Sequence, residues 1–160
     1  MKYSRKRTMS EWMGLGFVCL SLLLGIFLSQ SGFAAQSKQQ NAMRTTIEAA
    51  RNAWVRQDTE ALVQLFTPDG VLIVPGQRWE GHDRIRESIN RFTQSSSNVR
   101  IEIKRMIVEG NQAAVEWYYQ DVETATGNLN RADDVIVVDF AGDRISQWRE
   151  YFDTETPSRG

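Results

Sequence analysis

From Val99 to Asp153 the chain is a succession of long alternating segments broken by short glycine turns, and few architectures accept that pattern. Val99, Ile101 and Ile103 alternate with Arg100, Glu102 and Lys104, the period of a strand with one face buried. The apolar set then changes phase to Met106 and Val108, which predicts a β-bulge and a bent sheet. Gly110-Asn111 leads into a strand over Ala113–Val122, Gly127-Asn128 into Leu129–Phe140, and Gly142-Asp143 into Arg144–Asp153. Four antiparallel strands in series are expected.

The part before them reads as helices with one hairpin. Thr45-Thr46-Ile47-Glu48 fits a capping box, and Ile47, Ala50 and Trp54 then share one helical face to about Gln57. Asp58 is placed to cap a second short helix bearing Leu62, Leu65 and Phe66. Thr67-Pro68-Asp69-Gly70 predicts a turn, Val71–Val74 a strand, and Pro75-Gly76 a return toward Arg78-Trp79-Glu80. A third helix is expected from Asp83, with Ile85, Ile89 and Phe92 on one face, ending in Ser95-Ser96-Ser97-Asn98. The class is α+β, with three helices from the N-terminal half on one face of a curved antiparallel or mixed sheet.

The N-terminus is of another character. Lys2, Arg5, Lys6 and Arg7 precede an uncharged apolar run from Met13 to Leu28, followed by SQSGFAAQ. A basic region, a short apolar run and a small-residue exit make a secretory signal, with cleavage expected after Ala34. The alternative is an uncleaved membrane anchor, although the run would span only roughly 24 Å of a roughly 30 Å hydrocarbon core. Either way the domain is expected to be exported, periplasmic or secreted, with membrane contact only through that segment. Residues 35–42 read as a polar linker, 43–153 as the domain and 154–160 as a flexible tail.

Composition sharpens the exclusions. Residues 1–34 hold four basic and one acidic residue of the chain's 19 and 20, so residues 35–160 number 126 and carry a formal charge of −4. An acidic domain is not expected to bind nucleic acid. With one His and one Cys, the latter in the signal, no metal site is expected, and no cofactor either. Neither a glycine-rich phosphate loop nor a nucleophile elbow is present. His82 at a helix start reads as a local cap, Trp54, Trp79 and Phe66 as core, and Arg84, Arg86 and Arg91 as a solvated face.

Three carboxylates break the pattern. Asp121 continues the apolar set Ala113, Val115, Trp117, Tyr119; Asp134 sits among Ala132, Ile136, Val138 and Phe140; Glu150 lies between Trp148 and Phe152. A buried carboxylate is costly unless paired or protonated, and desolvation raises its pKa toward neutrality, where acid–base chemistry works. The alternatives are a register in which Asp133 points inward instead, or a structural pairing with Arg131 or Arg149.

Three stretches carry a resemblance: Phe66-Thr67-Pro68-Asp69-Gly70, Trp79-Glu80-Gly81-His82-Asp83-Arg84-Ile85, and Asp143 to Asp153 (DRISQWREYFD). With the order of elements, they resemble the SnoaL-like domains of the nuclear-transport-factor-2-like superfamily, over about Met43 to Asp153. The resemblance implies a cone-shaped, cystatin-like roll enclosing a pocket. It leaves activity open, since polyketide cyclases, ketosteroid isomerases, limonene epoxide hydrolases and non-enzymes share the fold. The end of the chain is similar to limonene epoxide hydrolases, where acids matching Asp121 and Glu150 belong to an Asp–Arg–Asp set. Here the arginine position is Tyr119, and the water-holding Tyr and Asn are replaced by Leu72 and Val74, so epoxide hydrolysis is not expected.

The expectation is therefore a small apolar ligand in the cone, with Asp121, Asp134 and Glu150 as catalytic candidates. Trp117, Tyr119, Trp148 and Phe152 would form its walls, and Tyr119 could by analogy stabilise an oxyanion. The rival expectation is a non-catalytic ligand-binding or dimerising module, a homodimer paired through the outer sheet face that carries Arg149 and Tyr151.

Overall fold

The last strand of the chain lies in the middle of the sheet. In the computed structural model, which describes residues 34–153, six strands run in the order β2-β1-β6-β5-β4-β3. They are β1 (Phe66–Val74), β2 (Gln77–Glu80), β3 (Ser96–Glu109), β4 (Gln112–Glu123), β5 (Leu129–Ala141) and β6 (Arg144–Asp153). Only β1 and β6 pair in parallel; every other neighbour is antiparallel, so the sheet is mixed, curved and unclosed. Helix α1 occupies residues 34–56, α2 is Thr59–Val63 and α3 is His82–Ser95. The signal or anchor expected over 1–34 falls almost wholly outside the described residues, and the expected tail 154–160 entirely so. No helix among the described residues is long and apolar enough to cross a membrane.

The bend has the cause the phase change predicted. Between Ile103 and Arg105 on β3 the partner on β4 advances only from Trp117 to Glu116, leaving Lys104 as the extra residue. A second bulge lies between Ser97 and Arg100, where Asn98 takes a positive φ of 54°. Bulges of this kind bend and twist the strand that carries them.

Two local expectations are corrected. Residues 35–42 are helical instead of a linker, and Thr45 is inside α1, its hydroxyl donating to Asn41 O at 3.0 Å instead of capping. The segment AQSKQQNA is polar, yet it contains good helix formers and neither Gly nor Pro, so polarity alone misleads there. Thr67–Gly70 is a wide irregularity inside β1: four residues separate Phe66 from Val71 while β6 moves only from Ile145 to Gln147. Pro68 has no N–H for a ladder. Gly70 passes so close to Phe66 that a Cβ would meet Phe66 Cβ at 3.0 Å, and Gly70 O accepts from Gly81 N at 2.8 Å.

Met43, Ile47, Ala50 and Ala53 of α1 are buried at helical spacing, as are Ile85 and Ile89 of α3. Asp58 caps α2 as expected, accepting from Ala61 N at 3.0 Å. Against the helices lie Val115, Ile136, Val138, Phe140, Ile145 and Trp148 of the sheet, all buried. His82 Nε2 lies 3.1 Å from Phe66 O and ties the start of α3 to β1.

Candidate active site

Beyond this packed end the curved sheet and the helices separate, leaving a cavity of about 450 Å³. Strand register decides what faces it. Trp117 on β4 lies opposite Asp134 on β5, and Asp134 lies opposite Phe152 on β6. Glu150, two residues back, pairs with Ile136, so the two carboxylates are diagonal neighbours on one face. Asp133 alternates to the outer face and is exposed, so the acid that faces the cavity is Asp134, which is 5% exposed.

Each acid is held by an indole. Trp117 Nε1 donates to Asp134 Oδ2 at 2.9 Å, and Trp148 Nε1 donates to Glu150 Oε1 at 2.7 Å. The two rings are themselves in contact, 5.5 Å between centroids. Asp134 Oδ1 is buried without a hydrogen-bond partner. Burial raises the Asp134 carboxyl to about 6, against the Trp117 hydrogen bond and with a further push from Asp133. Burial raises Glu150 to about 7, opposed by Trp148 and reinforced by the charge of Asp134. Two acids that titrate near neutrality, side by side, can hold one proton between them.

The remaining lining is mostly apolar. Leu72 and Val74 of β1, Trp79 of β2, Ile101 of β3, Tyr119 of β4 and Ala132 of β5 face the cavity from the sheet. Trp54 of α1 and Phe92 of α3 close it from the other side, edge to face at 5.2 Å, and Phe92 continues to Tyr119 at 6.3 Å. Burial first, and the charge of Asp121 next, push the Tyr119 phenol upward, so it stays a protonated donor. Arg91 and Arg131 also border the cavity; Arg91 is engaged by Glu87 at 3.0 Å.

Asp134, Glu150, Trp117, Tyr119 and Phe152 thus share one cavity. Asp121 does not line it: it is 3% exposed, accepts from Asn130 Nδ2 at 2.9 Å, and reaches the space only through Asn130 and Tyr119, which do. Trp148 lies behind the wall, fully buried, and acts on the cavity through Glu150. Neither Arg131 nor Arg149 forms an ion pair with these acids among the described residues. Trp54 and Trp79, read from sequence as core, line the cavity, whereas Phe66 is core. Helical and strand periodicity show which face is apolar; they do not show where two apolar faces part. Of the arginines read as a solvated face, Arg84 and Arg86 pair with Glu87, Glu60 and Asp83 at the surface, while Arg91 reaches the cavity rim. No group of three or more potential metal ligands occurs among the described residues.

A curved sheet backed by three helices, with paired acids in an apolar recess, defines a class that the sequence comparison makes specific. The sequence model of the SnoaL-like domain matches residues 47–148, and the chain belongs to that family. Among curated protein sequences none matches. Solved structures share the fold at low identity. A protein of ketosteroid isomerase-like fold from Catenulispora acidiphila, in complex with trimethylamine, superposes with a TM-score of 0.63 at 20% identity, over 66% of this chain and 83% of that one. A protein provisionally assigned as a SnoaL-like polyketide cyclase from a Jannaschia species gives 0.66 at 14%, over 72% and 88%. A nuclear-transport-factor-2-like protein of unknown function from Burkholderia pseudomallei gives 0.65 at 19%, over 71% and 92%.

Proposed function

We propose that this domain, exported by its N-terminal signal, binds a small and largely apolar molecule in the cavity and moves a proton on it. The observation that carries the reading is the Asp134–Glu150 pair, a buried and a half-buried carboxyl raised to about 6 and about 7 and opening on aromatic walls. Near neutral pH one carboxyl of the pair accepts a proton while the other donates one, as isomerase- and cyclase-type steps require. Tyr119 lines the same wall as a neutral phenol, its hydroxyl hydrogen-bonded to Asp121 behind it. Asp121, behind Tyr119 and Asn130, fixes their orientation instead of meeting substrate.

Exchange of the α-hydrogens of a bicyclic ketone such as 2-tetralone in deuterated water, followed by proton NMR, tests this. The full chain should accelerate exchange, with a rate governed by groups near pH 6 and 7. Glu150→Gln should lower that rate on the order of a hundredfold. No acceleration by the unaltered protein removes the catalytic reading and leaves a binding domain.

The outer face of the sheet favours an additional reading as a homodimer. Ile107, Val135 and Tyr151 are 56%, 43% and 52% exposed, and Val135 and Tyr151 are directly paired neighbours. Solvent-exposed apolar side chains gathered on one outer face suit self-association. Sedimentation equilibrium at tens of micromolar should give a dimer, and Val135→Glu with Tyr151→Glu a monomer. A monomeric unaltered protein would sink the idea.

A further inference from the structure

We propose that the molecule taken by this cavity is an organic ammonium, whose N–H donates to the free oxygen of Asp134 while its alkyl or aryl groups lie against the aromatic walls. The proposal rests on reading the cavity as a ligand site and names the chemistry of the ligand. Asp134 is 5% exposed and borders the cavity, and its Oδ1 is buried without a hydrogen-bond partner. A buried carboxylate oxygen left in that state costs free energy that a donor from the ligand would recover. Glu150 lies diagonally beside it, so two acids share the recess.

No cation of the chain pairs with either acid among the described residues. Arg91 and Arg131 border the cavity, yet Arg91 is bound to Glu87 with its side chain 57% exposed, and Arg131 is exposed. The other charged groups nearby are acids: Asp133 on the outer face beside Asp134, and Asp121 behind Tyr119. An anion would therefore be repelled, and a hydrocarbon would leave Asp134 Oδ1 unanswered. Trp54, Trp79, Phe92, Trp117, Tyr119 and Phe152 supply ring faces and edges around the same space. Aromatic faces attract a desolvated ammonium while also accepting its carbon substituents. An ammonium meets both demands at once.

Protons and the ligand then compete for the acids, and affinity should fall as pH is lowered through the range where Asp134 and Glu150 titrate. The test is a titration of tryptophan fluorescence in the full chain with two probes of the same shape. One is N,N-dimethylbenzylamine, protonated at neutral pH, and the other is its carbon isostere, isobutylbenzene. The amine should bind at least tenfold more tightly at about pH 7.5 and lose that advantage at about pH 5. Asp134→Asn should reduce the amine to the level of isobutylbenzene, which still binds the variant and shows that its cavity is intact. If isobutylbenzene binds as tightly as the amine, or Asp134→Asn leaves the amine unaffected, the ammonium proposal is overturned and the cavity remains a ligand site. If neither probe binds, the ligand site falls with it.

Discussion

Trp148→Ala is expected to cost the fold about 3–5 kcal/mol, the range for removing a large aromatic side chain from a core. Trp148 is 1% exposed and stands where the two halves of the sheet join, opposite Leu72 of β1 on one side and Val138 of β5 on the other. Its ring also packs on Trp117, so the truncation opens a void that rigid strands cannot fill by collapse. Domains of this size are stable by only about 5–15 kcal/mol, so the variant should unfold at a much lower urea concentration. Trp148→Phe separates the two roles of the side chain. It keeps most of the bulk and deprives Glu150 Oε1 of its donor, at a cost of about 1–3 kcal/mol. Circular dichroism is the readout, since fluorescence changes with the residue itself. A loss below about 1 kcal/mol for the alanine variant would show that the join is not packed as described.

Stability should also fall as pH rises from about 4 to about 8. Asp134 and Glu150 have folded-state values of about 6 and about 7, above their ordinary 3.8 and 4.5. Between those limits the folded protein holds more protons than the unfolded chain, so the slope of unfolding free energy against pH is negative. The contribution is fully present below about pH 4 and is lost as each carboxyl ionises in place, on the order of 2–3 kcal/mol for each acid. Glu60 and Glu102 have values lowered by Arg86 and by Lys104, which gives the opposite slope, but only at the acid end. They are surface groups and weigh little against Asp134 and Glu150. Asp134→Asn imitates the protonated acid. It should match the unaltered protein near pH 4 and exceed it by about 2 kcal/mol near pH 8, read from urea midpoints. Equal stability of the two proteins at pH 8 would mean that Asp134 ionises in the fold without penalty.

The sheet was legible because a strand announces itself by alternation, and even the bulge at Lys104 showed as a change of phase. Alternation also picked Asp134 over Asp133, because Ile136 and Val138 hold the register of β5 on the buried side. It could not say how far along each strand the recess extends. Asp121 and Glu150 follow the same rule, yet Asp121 ends against Asn130 and Glu150 opens on the cavity. That difference is set by curvature and by where α1 and α3 cross the sheet, both products of tertiary packing. The start of α1 and the path of Thr67–Gly70 were missed for a related reason. A polar stretch without breakers and a proline–glycine pair each admit two local structures, and contacts with distant residues choose between them.

The position of β6 sets an order of events during synthesis. Because it lies between β1 and β5, the early hairpin and the later meander have no sheet contact until the chain has been made through to about Asp153. Glu150 and Trp148 sit on that same strand, so the acid pair is completed in the act of joining. Everything before it waits with an open edge, a state that is slow to resolve and prone to wrong partners. A chain cut short at Asp143 therefore should not be a weakened version of this domain. It should be two unjoined halves.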